Sequence, residues 1–561
     1  MILGSLQVAR SQTPTNYPQG YFRNPLNIPM QLSGNFGELR ANHYHMGLDL
    51  KTQAKENLPV YAAADGFVTR IKIEPFGFGR AIYVQHPNGY TTLYAHLNNF
   101  NTPLENWVKQ QQYQQKSWAV YLEVPAGLFP VKKGDFLANS GNTGGSQAPH
   151  LHFEIRETAS DINLNPALFG FPITDNTRPA VLRLAIFDRT RSTYEQNPRL
   201  IAVKASAAGV YSTVPPLISV TWPRISFGIG TYDTQTGSSN RNGVFESRLL
   251  VDEEPVIGFQ MDNISYNDTR YLNAHIDYRT RAGRSIWLQH LSELPGYTNS
   301  IYRKTGGNGV LELSDGQPRN VRIETKDAEG NLTVVRFKVQ YTGSTAPAAI
   351  NLPGKMFYPQ MVDGFESAAC EFYLGERSLY DSVRIQYNQL SQADTTAVSA
   401  VHSIGATFIP LHESFLVRIK ANKPLSAAER SRTVMVVVSG SRTTVQKAEW
   451  QQDWAAGRFR DFGHFRLMVD TVAPVITPVG FADGAILTKA SRIVFTVKDN
   501  LGAFKKVRAE VDGKWLRFTN DKGRTFIYRF DEHCLPGPHE LKISAEDEAG
   551  NISERLFRFT R

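Results

Sequence analysis

Cysteine is nearly absent: 561 residues carry two. Cys370 and Cys534 stand far apart in what read as separate domains, so no disulfide is expected, and without a Cys-x-x-Cys pair neither serves to hold zinc. No apolar run approaches the roughly 20 residues that a membrane-spanning helix needs, so no spanning segment is expected. Charge is not blocked either. The net +9 is spread along the chain, which reads as mild attraction to anionic surfaces and not as a nucleic-acid footprint. The run Gly141 to Ser146 is glycine-rich but is not followed by Gly-Lys-Ser/Thr, which excludes a phosphate loop. Met1 to Ala9 has an apolar stretch and a small residue but no basic start. It reads as the remnant of an export leader or as a disordered N-terminus, and residues 1–19 are set apart on that ground.

What is there is mostly strand. Length suggests three to four domains at roughly 150 residues each, and 41% hydrophobic with 11% aromatic residues suits folded domains. Ile82–His86 and Tyr90–Tyr94 flank Pro87-Asn88-Gly89, and Asn-Gly between β-prone runs is a strong hairpin cue. Leu104 to Lys116, rich in Gln, Glu and Lys and free of Gly and Pro, predicts a helix. It is expected as an insertion at the rim of a cleft. Beyond 170 a repeat emerges: Asp175–Val181 matches Asp470–Ile476, and Asp327-Ala-Glu-Gly-Asn331 matches Asp547-Glu-Ala-Gly-Asn551, each followed by an alternating strand. This pattern predicts tandem β-sandwich modules at 175–342 and 470–561, with a divergent one at 345–469. They look like the immunoglobulin-like modules of bacterial surface proteins, and small interfaces between them are expected. Asp327 and Asp547 can be read as calcium ligands, but an Asp beside Gly-Asn also caps a hairpin turn, and the turn is the reading taken.

Chemistry concentrates in two clusters, His45-Met46-Gly47-Leu48-Asp49 and His150-Leu151-His152. His-x-His on a strand projects both rings from one face. Together the clusters supply three groups able to ligate zinc and at least one spare imidazole. A hydrolytic zinc site uses three protein ligands and leaves the fourth position to water, whereas four would close it. Phe36–Arg40 through His45–Asp49, then Tyr94-Ala95-His96-Leu97, then Ser140–Gly144 through Pro149–Glu154 form three blocks in a fixed order. Over residues 25–170 they resemble the lysostaphin/LytM-type peptidoglycan metalloendopeptidases.

The resemblance implies an antiparallel-β metallopeptidase domain at 20–172. It implies one Zn2+ per chain on His45, Asp49 and His152, with His96 and His150 as unligated catalytic histidines. Other residues carry open readings. His43 is taken as solvated or supporting, Glu154 as orienting an imidazole or forming a plain salt bridge, and Tyr94 as binding an oxyanion or packing. The glycines of 141–146 would let backbone pass close to a peptide substrate. The implied function is hydrolysis of peptide bonds in peptidoglycan, stem-peptide cross-links foremost, in the periplasm or envelope after export. An envelope protein partner for the C-terminal modules is also expected. The alternative is a catalytically silent wall-binding or activator protein that acts through its β-sandwich tail.

Overall fold

The computed structural model describes residues 17–297, 301–343, 353–391, 396–502, 504–523 and 525–561. The Met1–Ala9 segment and the junction expected at 345 lie outside them. The chain is mainly β, as the alternation predicted.

The N-terminal part is built on an antiparallel sheet. Its principal strands are β1 (Leu32–Gly34), β2 (Leu48–Lys51), β3 (Gly66–Ile73), β4 (Arg80–Gln85), β5 (Tyr90–Ala95), β6 (Val120–Glu123) and β7 (His150–Glu157). They lie side by side as β1-β2-β7-β5-β4-β3-β6. The β4–β5 hairpin turns at Pro87-Asn88-Gly89, with Gly89 at φ 85°. Strand periodicity sorts β7 into two faces. Leu151, Phe153 and Ile155 point into the core, while His150, His152 and Glu154 share the opposite face. Leu48 and Leu50 of β2 enter the same core, so Asp49 between them faces the histidines.

The predicted helix forms at Thr102–Gln115, with the Asn101 side chain capping Leu104 N at 3.1 Å. Its place differs from the expectation. It does not line the cleft; Leu104 and Val108 are buried in the N-terminal core, and Tyr113 turns outward to stack on His533 of the C-terminal region at 3.8 Å. Trp515 packs on the same ring edge-on.

From Ala180 to Tyr341 the chain forms one curled sheet of 11 strands. Val210–Val220 and Leu332–Tyr341 pair in parallel within it, and Phe227 meets Phe337 edge-on from strands far apart in the sheet order. Residues 363–469 fold as two five-stranded sheets with Phe415 and Phe459 of one facing Phe465 of the other. The last region pairs a three-stranded with a five-stranded sheet. Cys370 and Cys534 are buried and unbridged in separate regions.

Small interfaces were expected between modules; the structure departs from this. Phe36, Tyr44 and Met46 of the N-terminal part sit in one continuous apolar core with Phe259, Met261 and Ile264, and the same core runs on to Phe357 and Tyr380. The reason is local. The segment 36–46 presents large apolar side chains away from its own sheet, and they are buried only where the second region covers them. Phe36→Ala should therefore cost about 3–5 kcal/mol of stability. Calorimetry should show the N-terminal part and residues 180–341 unfolding in a single transition.

Candidate functional site

The cleft side of β2 and β7 carries the site. Antiparallel register sets His152 directly opposite Asp49 and His150 opposite Lys51. Gly47 is required by close approach: a Cβ there would lie 2.4 Å from the Phe153 carbonyl oxygen. With glycine the chain passes tight against β7 and swings His45 over the pair. The result is three buried donors in mutual contact. His45 Nε2 lies 2.9 Å from Asp49 Oδ1 and 3.0 Å from His152 Nδ1, and His152 Nδ1 lies 2.9 Å from Asp49 Oδ1.

The outward atom of each ring settles what the inward atom offers. His45 Nδ1 donates to the Asn35 carbonyl at 2.8 Å and His152 Nε2 donates to Glu154 Oε1 at 2.9 Å. In a neutral imidazole the other nitrogen is then an acceptor. With both rings neutral, two nitrogen lone pairs and a carboxylate oxygen converge on one point, an arrangement that calls for a cation, either a proton or a metal ion. For metal bonds of about 2.0–2.1 Å, tetrahedral ligands stand about 3.3 Å apart, close to the separations found. His45, Asp49 and His152 fit a metal ion.

Electrostatics agree. Burial would raise the Asp49 pKa, but its contacts with His45, His150 and His152 hold it well below the usual carboxylate range. Arg40 fixes its other oxygen at 2.6 Å. Burial pushes His45 down to about 4. For His152 burial works the same way, yet its hydrogen bonds to Asp49 and Glu154 outweigh it and raise the pKa to about 9. Positive charge is favoured at that point.

Two further histidines complete the cleft, whose volume is ≈ 1300 Å³. His96, at φ 60° on the turn after β5, donates from Nδ1 to the Thr143 carbonyl at 2.9 Å. Its ring centre lies 4.7 Å from that of His150 and 5.9 Å from that of His152. Burial, with His150 and His152 adding to it, lowers the His96 pKa to about 3, so the ring is a neutral acceptor at Nε2. His150 donates from Nδ1 to the Ala148 carbonyl at 2.8 Å and brings Nε2 within 3.3 Å of Asp49 Oδ1.

Of the open readings, His43 is exposed at the rim. Tyr94 is fully buried against Phe153, its hydroxyl taken by Ala63 N and Thr92; it packs. Glu154 is fully buried, and although burial opposes ionisation, Arg156 and His152 lower its pKa to about 2. It orients His152 and is itself held by Arg156, Asn163 and Tyr266. Among the glycines of 141–146, Gly145 lines the cleft, and Gly144 passes Gly79 so closely that a Cβ would lie 2.2 Å from Gly79 N, which lets two protein loops touch.

Sequence reading missed the supports. Arg40 sits in a quoted block without a role, Asn35 lies just ahead of that block, and Tyr266, more than a hundred residues beyond Glu154, gave no signal at all. Nor did the loop at Asp521 and Lys522. Asp521 accepts from Gly144 N at 2.8 Å, while Lys522 donates from Nζ to the Ser146 carbonyl at 2.7 Å. The C-terminal region thus braces the loop that holds both His96 and His150.

Residues 43–113 match the model of Peptidase family M23. The N-terminal part of this chain is an M23 peptidase domain. The resemblance read from the three blocks is borne out. Residues 355–470 match a Zu5-like domain. An "Uncharacterized metalloprotease" of Haemophilus influenzae is 29% identical over 31% of this chain and 32% of its own length. A "DD-carboxypeptidase/endopeptidase Mpg" of Neisseria meningitidis serogroup B is 31% identical over 24% of each chain. "Peptidoglycan DD-endopeptidase ShyA" of Vibrio cholerae is 27% identical over 26% of this chain and 29% of its own. The chain thus spans about a quarter to a third of the length of these relatives. M23 is a metallopeptidase family, which implies a metal. Among the described residues no helix is long and apolar enough to cross a membrane.

Because Glu154 fixes the His152 ring, Glu154→Gln should weaken metal affinity about 10–100-fold, measured by competition with a chromogenic chelator.

Proposed function

We propose that this chain is a zinc endopeptidase that hydrolyses peptide bonds in peptidoglycan, stem-peptide cross-links foremost. The observation that carries the reading is the convergence of His45, Asp49 and His152 beside His96 and His150 in one open cleft. The name of the Vibrio relative supports the substrate class, and that of the Neisseria relative the endopeptidase activity. A borderline-soft ion with three nitrogen and carboxylate donors suits zinc; bound there, it would supply Lewis acidity, acidifying water and polarising a carbonyl.

The chain's own groups do the rest. His45, Asp49 and His152 hold the ion, and Arg40 and Glu154 keep two of them aimed. His96 and His150 each anchor Nδ1 on a backbone carbonyl, which leaves Nε2 to act in the cleft. There the two rings take a proton from the attacking water and return it to the leaving amine. Such a substrate lies outside the cytoplasm, so export to the periplasm or envelope belongs to the same proposal. So does the division at 20–172, 175–342, 345–469 and 470–561, with tail modules of immunoglobulin-like character that meet an envelope partner.

The test is digestion of purified sacculi by the full chain, with fragments read by mass spectrometry. A shorter fragment would lack Tyr266, Asp521 and Lys522. New amino termini should appear and should vanish with chelator. His96→Ala and His150→Ala should keep the metal and lose on the order of 10²–10⁴-fold in turnover. Asp49→Ala and His152→Ala should lose the metal itself. Release that ignores chelator, or none at all, would leave the binding or activator reading instead.

A further inference from the structure

The Asp-Gly-Asn turns of the internal repeat hold more acid than a turn needs. In the first copy Asp175, Asp233 and Asp327 bring carboxylate oxygens within 4.8 Å of one another. Turn chemistry accounts for two of them. Asp327 accepts from Asn331 N at 2.8 Å and Asn331 Nδ2 at 2.6 Å. Asp175 accepts from Thr177 N at 2.8 Å and from Thr236 N and Oγ1 at 3.1 Å each.

Asp233 is different. It is 4% exposed, and its Oδ1 has no hydrogen-bond partner. Beside it stands Asn242, joined to it by a two-way backbone bridge and likewise buried, with an Oδ1 that has none either. A buried carboxylate oxygen without a partner is costly. The charges that act most on Asp233 are Asp327, Asp175 and Glu329, all of one sign, and with burial they push its pKa up to about 7. Nothing in the turn explains why a third carboxylate is buried against two others.

We propose that Asp175, Asp233 and Asp327 form a calcium site, with Asn242 Oδ1 as a further oxygen donor. The donors are all oxygen, which selects a hard cation. Calcium–oxygen bonds of about 2.3–2.6 Å allow two ligands of one ion to stand up to roughly 5 Å apart, a span that the three carboxylates meet. Three carboxylates supply charge for a divalent ion, and half-exposed Asp175 leaves room for water to complete the shell.

The placement gives the ion a task. It would tie the linker after the M23 domain (Asp175), the loop 233–243 and the Asp327 hairpin into one knot. Loop 233–243 grips the M23 domain: Gln235 bonds Leu32 N at 2.9 Å and the Met30 carbonyl at 3.0 Å, and Gly243 exchanges two 2.8 Å bonds with the Asn35 side chain. The Asn35 carbonyl is the acceptor that orients His45. Calcium would thus brace the frame on which one metal ligand of the peptidase site rests. A second acidic triad, Asp470, Asp499 and Asp547, occupies the corresponding place in the C-terminal region; the proposal concerns the first alone.

The experiment is calcium chloride titration of the full, zinc-loaded chain by calorimetry, alongside thermal unfolding, for the parent and Asp233→Asn. The parent should bind with Kd on the order of 0.1–1 mM, the range of extracellular modules. Asp233→Asn should bind one calcium fewer per chain, or bind it at least about tenfold more weakly, while keeping its zinc. Without calcium the variant should unfold at the parent's midpoint or above it, because a mutual repulsion has been removed. At about ten times Kd the parent should gain and the order reverse. Asp175→Asn, at a half-exposed position, should lose the same binding and serves if Asp233→Asn folds poorly. Equal calcium stoichiometry and affinity in parent and variants, or no calcium-dependent rise in the parent's midpoint, would overturn the proposal.

Discussion

The pairing of Asp49 with His152 across two antiparallel strands is the constraint on which the rest of the site depends. Side chains on paired strands meet only at a matched register, and a slip of one strand by one residue would send its member of the pair to the core face. Leu48, Leu50, Leu151 and Phe153 enforce that register because each is fully or almost fully buried on the other face. Apolar burial on one side of the sheet therefore fixes polar geometry on the other. His45 joins from the preceding turn, and its approach rests on Gly47 having no side chain to meet the Phe153 carbonyl.

Around this pair the structure spends buried polar groups freely, and the carboxylates of Asp49 and Glu154 tie them together. Glu154 gathers His152, Arg156, Asn163 and Tyr266, and Asp49 gathers three imidazoles and Arg40. Such networks are stiff because displacing one member leaves the others buried and unpaired. Stiffness is what a metal-holding site needs, since donors must wait in position for the ion. The acidic knot at Asp233 is the contrasting case: a charge cluster whose neighbours within the protein do not balance it.

The modules beyond the M23 domain are part of the site's frame. Tyr266 reaches Glu154, loop 233–243 holds the segment that carries Asn35, and Asp521 with Lys522 grips the loop under His96 and His150. The shared core through Phe36, Tyr44 and Met46 makes this attachment more than polar. An apolar face that large does not stay open to water, so the N-terminal part and the curled 11-stranded sheet are one packed body.

The sequence by itself determined the β class, the Asn-Gly hairpin, the helix at 102–115 within a few residues, and the three blocks that carry His45, Asp49, His96, His150 and His152. It could do so because these signals are local: period-two alternation, turn residues, and ligands two or four positions apart. It could not show where the helix docks, that Tyr94 packs, that Gly144 accommodates a neighbouring loop, or that Tyr266 and Asp521 stand beside the cleft. Nor could it show that Asp175, Asp233 and Asp327 meet, although the repeat displayed two of them. Those facts are contacts between residues far apart along the chain. No local pattern encodes them, and only the way the sheets pack against one another decides them.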